Sequence, residues 1–385
     1  MRDAVIVDAV RTPVGKGKPG GALSGIHPVD LSAHVLGALA ERNGLDPVTV
    51  DDVVWGCVSQ VGEQAGCVGR YAVLAAGWPE SVPGVTVDRQ CGSSQQAVHQ
   101  AAAGVIAGQY DIAIAGGVEV MSRVPMGSTR GENFGKPFGP LVGERYDHVV
   151  FNQGIGAEMI AEEFGLTRAD LDQHALDSHA RAVRAIDEGR FKGQIAPVTL
   201  ADGTVVDTDE GVRRGGTLEK LGQLATPFKE GGVISAGNAS QISDGAAALL
   251  VTTSEIAARN GWTPIARFHT GTVTGVDPVT MLKGPIPATA KVLQRAGLTH
   301  ADIGAYEINE AFASVSLGWQ RQTGADYDLL NPNGGAMALG HPLGASGARL
   351  MTTLVHHMRD NGIRYGLQSM CEGGGMANAT VLELL

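Results

Sequence analysis

Apolar residues recur along the chain with two periods, one typical of strands and the other of helices. An apolar run at 4–10 predicts a buried first strand, and Leu31, Val35 and Leu39 share one face of a predicted helix that ends near Gly44. The same patterns predict further strands at 52–58, 84–88 and 111–117 and helices at 66–77 and 95–109. Because strands alternate with helices, this third of the chain predicts an α/β unit with a largely parallel sheet.

The middle of the chain breaks this alternation. Residues 121–145 and 195–235 are rich in loop-forming and polar residues, and two helices are predicted between them, at 154–164 and 168–188. A strand predicted at 243–251 resumes the α/β pattern.

The last third repeats the first in outline. A strand at 305–309 leads into a helix, a Gly-rich loop at 333–347 precedes another helix, and a strand at 365–370 ends at Cys371. Cys91 likewise follows a strand, so each half places a cysteine at a strand end. We predict an α/β fold of two similar halves. The predicted domains are an N-terminal half at 1–117, completed by about 246–258, an inserted loop domain at 118–245, and a C-terminal half at 259–385.

Composition narrows the class of protein. Of 385 residues, 43% are hydrophobic and 18% are charged, which is typical of a folded chain. The net charge is −11 and no block of Lys and Arg is present, so neither nucleic acid nor an anionic membrane is an expected partner. No apolar stretch reaches the roughly 18 residues of a membrane span. Four cysteines make no disulfide framework in a chain of this length, so we expect a cytoplasmic protein with reduced thiols.

Cys91 is the first candidate for chemistry. It lies in VDRQCGSSQQAVHQ, between a predicted strand and a predicted helix. Backbone N–H groups at a helix N-terminus favour a thiolate and can also hold an oxyanion. The alternative is that Cys91 is a small buried hydrophobic residue, as most free cysteines are.

Three other positions could work with a nucleophile. His341 lies in a Gly-rich loop that would fix an imidazole as a base, although a surface histidine is the alternative. Cys371 precedes three glycines whose N–H groups could serve an oxyanion, although a buried thiol is the alternative. Asn309 and Glu310 follow a strand, where an N-cap pair is the plainer interpretation. No set of His, Cys, Asp and Glu has a metal-ligand spacing, so no metal is predicted.

Taken together, these segments resemble the thiolase family, whose members are acetyl-CoA acetyltransferases and 3-ketoacyl-CoA thiolases. The resemblance covers essentially the whole chain and keeps the family order of motifs. The motifs are RTPVGK near the start, GGVEVMS (116–122), GNASQISDGAAA (237–248), NEAFA (309–313), GHPLGASGAR (340–349) and CEGGG (371–375). The segments 56–64 and 152–153 are similar to bacterial degradative members, including those that act on steroid side chains.

The resemblance implies an αβαβα layered fold of two similar halves with an inserted loop domain. It implies a homodimer or homotetramer, no tightly bound cofactor, and coenzyme A as a co-substrate. The activity it implies is thiolytic cleavage of 3-ketoacyl-CoA to acetyl-CoA or propionyl-CoA and a shortened acyl-CoA, through an acyl-cysteine. The alternatives are a biosynthetic acetoacetyl-CoA thiolase and an inactive thiolase-like lipid carrier or scaffold.

Matching the motifs assigns roles to residues. The resemblance implies that Cys91 is the nucleophile, that His341 is its base, and that Cys371 is the acid and base at the substrate C2 carbon. Asn309, through a water, and His341 would hold the thioester enolate, and the N–H groups of Cys91 and Gly373 would hold the other oxyanion. The positions that match the coenzyme A channel of relatives are Arg213, Phe228, Ala236, Ala239, Ser240, Ala311 and Phe312.

The chain departs from the family pattern at four places. Asp88 stands where relatives usually have Asn, and Ser94, where they have Gly, is expected to shape the acyl pocket. Asn152-Gln153 replaces the His-Met pair of short-chain relatives, which favours a longer or bulkier acyl group. Glu372 replaces a small or apolar residue and, if close enough, should raise the pKa of the Cys371 thiol.

Overall fold

The computed structural model of the chain describes residues 2–130, 135 and 137–385. Its strands are β1 (Val5–Arg11), β2 (Gly15–Lys16), β3 (Asp52–Gly56), β4 (Gly84–Val87), β5 (Ile112–Val120), β6 (Val198–Thr199), β7 (Val205–Val206), β8 (Ser243–Thr252), β9 (Ala266–Gly275), β10 (Ala305–Ile308), β11 (Tyr365–Glu372) and β12 (Met376–Leu384).

Its α-helices are α1 (Pro28–Asn43), α2 (Val68–Ala75), α3 (Ser93–Ala107), α4 (Pro140–Arg145), α5 (Gln153–Glu163), α6 (Arg168–Asp187), α7 (Leu218–Gly222), α8 (Ser254–Arg259), α9 (Pro285–Ala296), α10 (Ala313–Thr323), α11 (Ala336–Leu339) and α12 (Ser346–Asn361). Among the described residues, no helix combines the length and the apolar character that crossing a membrane requires.

The large sheet contains the same four-strand series twice. In one half β1, β8, β5 and β3 lie side by side, and in the other β9, β12, β11 and β10 do. In both series the first two pairings are antiparallel and the third is parallel. Only two residue pairs join β1 to β9, so the two series are distinct units. The predicted similarity of the two halves is therefore confirmed. The strands of the first third, β1, β3, β4 and β5, run in one direction, as predicted, and the sheet is mixed because β8 runs antiparallel between β1 and β5.

Apolar faces stack these elements into five layers. One core packs α1 and α2 against the half of the sheet that contains β1, β8, β5 and β3. Another packs β10, β11 and β12 against α9 and α10. Between the two half-sheets, α3 and α12 bury small residues such as Ala97, Ala101 and Ala348 in a shared core. Small side chains let this central pair of helices pack closely against both sheets. The layers confirm the predicted αβαβα fold.

A long connection separates β5 from β8. It carries α4, α5, α6 and α7 and the short β6–β7 hairpin. A capping box begins α6: Thr167 and Asp170 each accept a hydrogen bond from the other's backbone N–H. The domain limits 1–117, 118–245 and 259–385 stay predictions.

Candidate active site

A tight turn between β4 and α3 presents Cys91. The Asp88 carboxylate accepts a hydrogen bond from the Gln90 N–H at 2.7 Å, and Gln90 adopts a positive φ of 48°. The Ser93 hydroxyl accepts from the Arg89 N–H and donates to the Gln90 carbonyl. Three local contacts thus hold the turn that ends at the N-terminus of α3. Asp at position 88 makes the same turn that Asn would, so this departure leaves the geometry intact.

The Cys91 thiol is buried, with 5% of the residue exposed. Burial and, after it, the charges of Glu372 and Glu119 raise its pKa to about 12. The backbone N–H groups of Cys91 and Gly373 act in the opposite direction, because donors beside the sulfur favour the thiolate. The two residues predicted to supply oxyanion donors therefore both have their N–H groups near the sulfur. A thiol with this pKa is protonated at neutral pH, so it needs a base in order to react.

His341 is held in one orientation and tautomer. Its backbone N–H donates to the Gln241 carbonyl and to the Ser243 hydroxyl, each at 3.1 Å. The Ser346 hydroxyl donates to the Pro342 carbonyl at 2.8 Å, so toward the imidazole Nδ1, 2.5 Å away, it is an acceptor. Nδ1 consequently carries the proton, which leaves Nε2 with a free lone pair. This is the arrangement a general base requires.

Gly340, just before this histidine, lets the loop pass close to Ser243. Its φ is 101°, and a Cβ there would lie 2.3 Å from the Ser243 hydroxyl oxygen. Burial lowers the pKa of His341 to about 3, and the positive charge of Arg349 acts in the same direction. The imidazole is therefore neutral throughout the physiological pH range.

Asn309 lies beside His341 in the structure. Its amide nitrogen is 3.4 Å from His341 Nε2, and its buried side-chain oxygen has no hydrogen-bond partner. The expected N-cap role of Asn309 and Glu310 was wrong, because α10 begins only at Ala313, after Phe312. The Glu310 carboxylate is instead bound by the Ser178 hydroxyl, the Asn331 amide and a backbone N–H, and it fixes the loop that carries Asn309.

Cys371 is fully buried and is the second-last residue of β11, just before the glycine run. Burial raises the pKa of its thiol, and the charges of Cys91 and then Glu372 raise it further. The predicted direction of the Glu372 effect is confirmed. Cys371 packs in a core with Ala311, Phe312 and Met337.

Most of the residues predicted to bind coenzyme A lie together along this core. The Phe228 and Phe312 rings meet edge to face at 6.0 Å. Ala239 pairs with Phe312, and the Ser240 N–H donates to the Ala311 carbonyl at 2.9 Å. Arg213 and Ala236 are solvent-exposed. The structure therefore forms one apolar strip beside Cys371, with an exposed cation elsewhere on the same connection.

Sequence reasoning missed the residues that support these groups. Ser346 fixes the His341 tautomer, and the buried Glu119 carboxylate accepts hydrogen bonds from the N–H groups of Val58, Ser59 and Gly344. Ser346, five positions after His341 at the start of a helix, was detectable as a polar residue within reach. Glu119 stands in the motif GGVEVMS, but its partners are distant in sequence and no local pattern indicates them. Among the described residues, no cluster of three or more His, Cys, Asp and Glu could hold a metal ion.

The departure at 152–153 has a local structural role. Asn152 is the N-cap of α5, and its side-chain oxygen accepts from the N–H groups of Gly154 and Ile155. Phe151 beside it stacks edge to face with Phe138 and Tyr146. The preference for a bulkier acyl group, which this pair suggested, stays a prediction.

Ser94 also has a structural role, while its predicted part in shaping the acyl pocket stays a prediction. Its hydroxyl accepts a hydrogen bond at 2.8 Å from the Ala348 N–H, in the first turn of α12, and so ties α3 to α12. We expect Ser94→Ala to lower the free energy of unfolding by about 1–3 kcal/mol, because it leaves a buried N–H unpaired. Urea unfolding measures this loss. Wild-type stability in Ser94→Ala would contradict this structural role.

Comparisons with known proteins agree with this geometry. Residues 4–255 match the family model "Thiolase, N-terminal domain" and residues 262–384 match "Thiolase, C-terminal domain". The fold and the matched models define an acyltransferase enzyme of the α/β class. The chain belongs to the thiolase family.

Its relatives include 3-ketoacyl-CoA thiolases. The chain is 49% identical to a steroid 3-ketoacyl-CoA thiolase (FadA6) of Mycobacterium tuberculosis, over all of this chain and 95% of that protein. It is 44% identical to a 3-ketoacyl-CoA thiolase of Pseudoalteromonas translucida, over 100% and 99% of the two chains. The crystal structure of an acetyl-CoA acetyltransferase from Bacillus anthracis matches it with a TM-score of 0.91 at 37% identity, over 100% and 99% of the two chains.

Proposed function

We propose that this thiolase cleaves 3-ketoacyl-CoA through an acyl group carried on Cys91. The observation that carries the proposal is the buried Cys91 thiol at the N-terminus of α3, with the N–H groups of Cys91 and Gly373 near enough to lower its pKa. Preorganised backbone donors stabilise an oxyanion more effectively than water does, and each is worth roughly 10²–10³ in rate. Coenzyme A is the co-substrate, and the chemistry needs no tightly bound cofactor.

The first half-reaction begins at the neutral thiol. His341 Nε2 accepts the Cys91 proton as the sulfur attacks the C3 carbonyl, and the two backbone N–H groups hold the resulting oxyanion. The C2–C3 bond then breaks, and its electrons form the thioester enolate, which protonated His341 and Asn309 hold. Cys371 donates its proton to C2, which releases acetyl-CoA and leaves the acyl group on Cys91.

The second half-reaction restores the enzyme. The Cys371 thiolate accepts the proton of incoming coenzyme A, whose sulfur attacks the acyl-cysteine. Cys91 leaves as a thiolate and recovers its proton from His341. Because the free thiol has a pKa of about 12 and the free imidazole about 3, the resting pair is neutral and charges form only with substrate in place.

We propose 3-ketoacyl groups longer or bulkier than acetoacetyl as the substrates. The support is the Asn152-Gln153 departure and the names of relatives at 43–49% identity, which include 3-ketoacyl-CoA, steroid 3-ketoacyl-CoA and beta-ketoadipyl-CoA thiolases. We also propose a homodimer or homotetramer. The strand β4 lies at one edge of the sheet, where a strand of a second subunit could pair with it. The four free cysteines fit a cytoplasmic location.

A ladder of 3-ketoacyl-CoA chain lengths, with one steroid thioester, tests the substrate class. We expect kcat/KM for thiolysis of acetoacetyl-CoA to be at least about tenfold below that of the best substrate, the size that apolar pocket contacts supply. A maximum at acetoacetyl-CoA would support a biosynthetic enzyme instead. Absence of turnover with every one of these substrates would support an inactive lipid carrier or scaffold.

A further inference from the structure

Glu372 places a carboxyl group directly behind the nucleophile. It ends β11, is fully buried, and pairs with Met376 across the hairpin to β12. A Cβ on Gly92 would lie 2.0 Å from Glu372 Oε1 and 2.7 Å from the Asn378 amide nitrogen. The carboxyl therefore rests against the residue that follows Cys91. Because successive side chains of a strand face opposite ways, Glu372 shares this face with Met370, which packs against Cys91, rather than with Cys371.

The carboxyl has no partner in the described residues. Neither oxygen accepts a hydrogen bond, and no cationic nitrogen lies within 4.0 Å. The side-chain amide of Asn378 also lies beside Gly92, but it donates its hydrogen bond to the Gly92 carbonyl. A buried carboxylate without a donor or cation is strongly disfavoured, so such a group takes up a proton.

The electrostatic surroundings agree with a neutral acid. Burial raises the pKa of Glu372 to about 8 against the opposing positive charge of Arg89, and the Asp88 charge acts in the same direction as burial. These are the charged groups that act on Glu372 among the described residues, and Glu119 is the other carboxylate that acts on Cys91. After burial, the Glu372 charge is the largest cause of the raised Cys91 pKa. A negative charge here opposes both the Cys91 thiolate and the oxyanion beside the Gly373 N–H.

We propose that Glu372 works as a protonated carboxylic acid beside Cys91, and that loss of this proton disables the nucleophile and sets the alkaline limit of turnover. The turnover part rests on the proposed function, but the effect on the thiol does not. Glu372→Gln keeps the shape of the neutral acid and cannot ionise.

Alkylation of Cys91 by iodoacetamide measures the effect without turnover. Trypsin releases Cys91 in the peptide 90–123, which contains none of the other cysteines, so mass spectrometry follows it alone. We expect wild type and Glu372→Gln to react equally at about pH 6.5. By about pH 9.5 the variant should react about tenfold faster, since a unit charge this near shifts a thiol pKa by a unit or more. Asp88→Asn, which removes an exposed carboxylate nearby, is the control. Its alkylation rate at high pH should stay below that of Glu372→Gln, as the wild-type rate does, because Glu372 still ionises.

The pH dependence of stability gives a second readout. A carboxyl whose pKa is raised on folding contributes stability that is fully present below about pH 4.5 and is lost as pH rises toward 8. The excess stability of Glu372→Gln over wild type should therefore grow between about pH 5 and pH 8.

Parallel alkylation curves, or a stability difference that does not change with pH, would overturn the proposal. If these two measurements hold and neither protein turns over substrate, the proposed function fails and the role of Glu372 stands. If both proteins are active with superimposable pH–rate profiles, Glu372 does not set the alkaline limit.

Discussion

Cys91→Ala should reduce thiolysis by about 10⁴-fold or more while leaving the fold intact. The side chain is small and buried, and alanine fits the same space without disturbing the turn that Asp88 and Ser93 hold. The loss is large because no other group can carry the acyl chain next to the Cys91 and Gly373 N–H groups, and removal of a nucleophile removes the covalent route entirely. Steady-state thiolysis of a saturating 3-ketoacyl-CoA measures it.

Cys67→Ser is the matched control. Cys67 is a free thiol that contacts the Gly84 carbonyl at the start of α2, in the same N-terminal half as Cys91. Its replacement should keep activity within about threefold, because the contact is structural. Wild-type activity in Cys91→Ala, or a complete loss in Cys67→Ser alone, would contradict the assignment of the nucleophile.

His341→Ala should lower kcat by about 10³–10⁴-fold with little change in KM. The thiol pKa of about 12 makes proton removal costly, and the imidazole Nε2 accepts that proton and later helps hold the enolate. Ser346→Ala should cost about tenfold, because the imidazole loses the contact that selects its tautomer. In the double variant the Ser346 effect should vanish, since it acts through His341.

The pH profile of the wild type offers a further check on His341. With a pKa of about 3, the imidazole stays neutral down to about pH 4, so an acidic limb near pH 6–7 should not arise from it. Additive losses for His341→Ala and Ser346→Ala would show that the two residues act separately. An acidic limb near pH 6–7 that His341→Ala removes would contradict the depressed pKa.

Continuous apolar runs made several strands predictable. The strands predicted at 4–10 and 243–251 differ from β1 and β8 by one residue at most at each end, because both are buried along their whole length. The strand predicted at 111–117 runs on to Val120 in β5. Its end was missed because Gly116 and Gly117 resemble a strand stop, whereas a Cβ at Gly117 would lie 2.3 Å from the Gly344 carbonyl oxygen.

Two strands could not be predicted from local pattern. β9 is partly exposed and lacks clear alternation, and β12 follows a glycine run that suggested a loop. Gly374 and Gly375 have positive φ and form the hairpin turn between β11 and β12. Both of these strands run antiparallel to their neighbours.

The reactive residues of the candidate site could be predicted from sequence, but the contacts that hold them in place could not. Cys91, Asn309, His341 and Cys371 stand in recognisable motifs, each at an element end. Their supporting contacts join distant parts of the chain, such as Glu119 to Gly344 and Ser94 to Ala348, each more than 200 positions apart. No periodicity records such pairs, because they exist only once the two halves are packed together.

Mass spectrometry of the acyl-enzyme tests the central claim most directly. The protein is incubated with a 3-ketoacyl-CoA in the absence of free coenzyme A, quenched in acid and digested with trypsin, which separates Cys91 (90–123) from Cys57 and Cys67 (43–70) and from Cys371 (365–385). We expect the mass of the shortened acyl group on peptide 90–123, and its loss when coenzyme A is added before the quench. An acyl mass confined to peptide 43–70 or 365–385, or turnover with no acyl-peptide at all, would contradict an acyl-Cys91 mechanism.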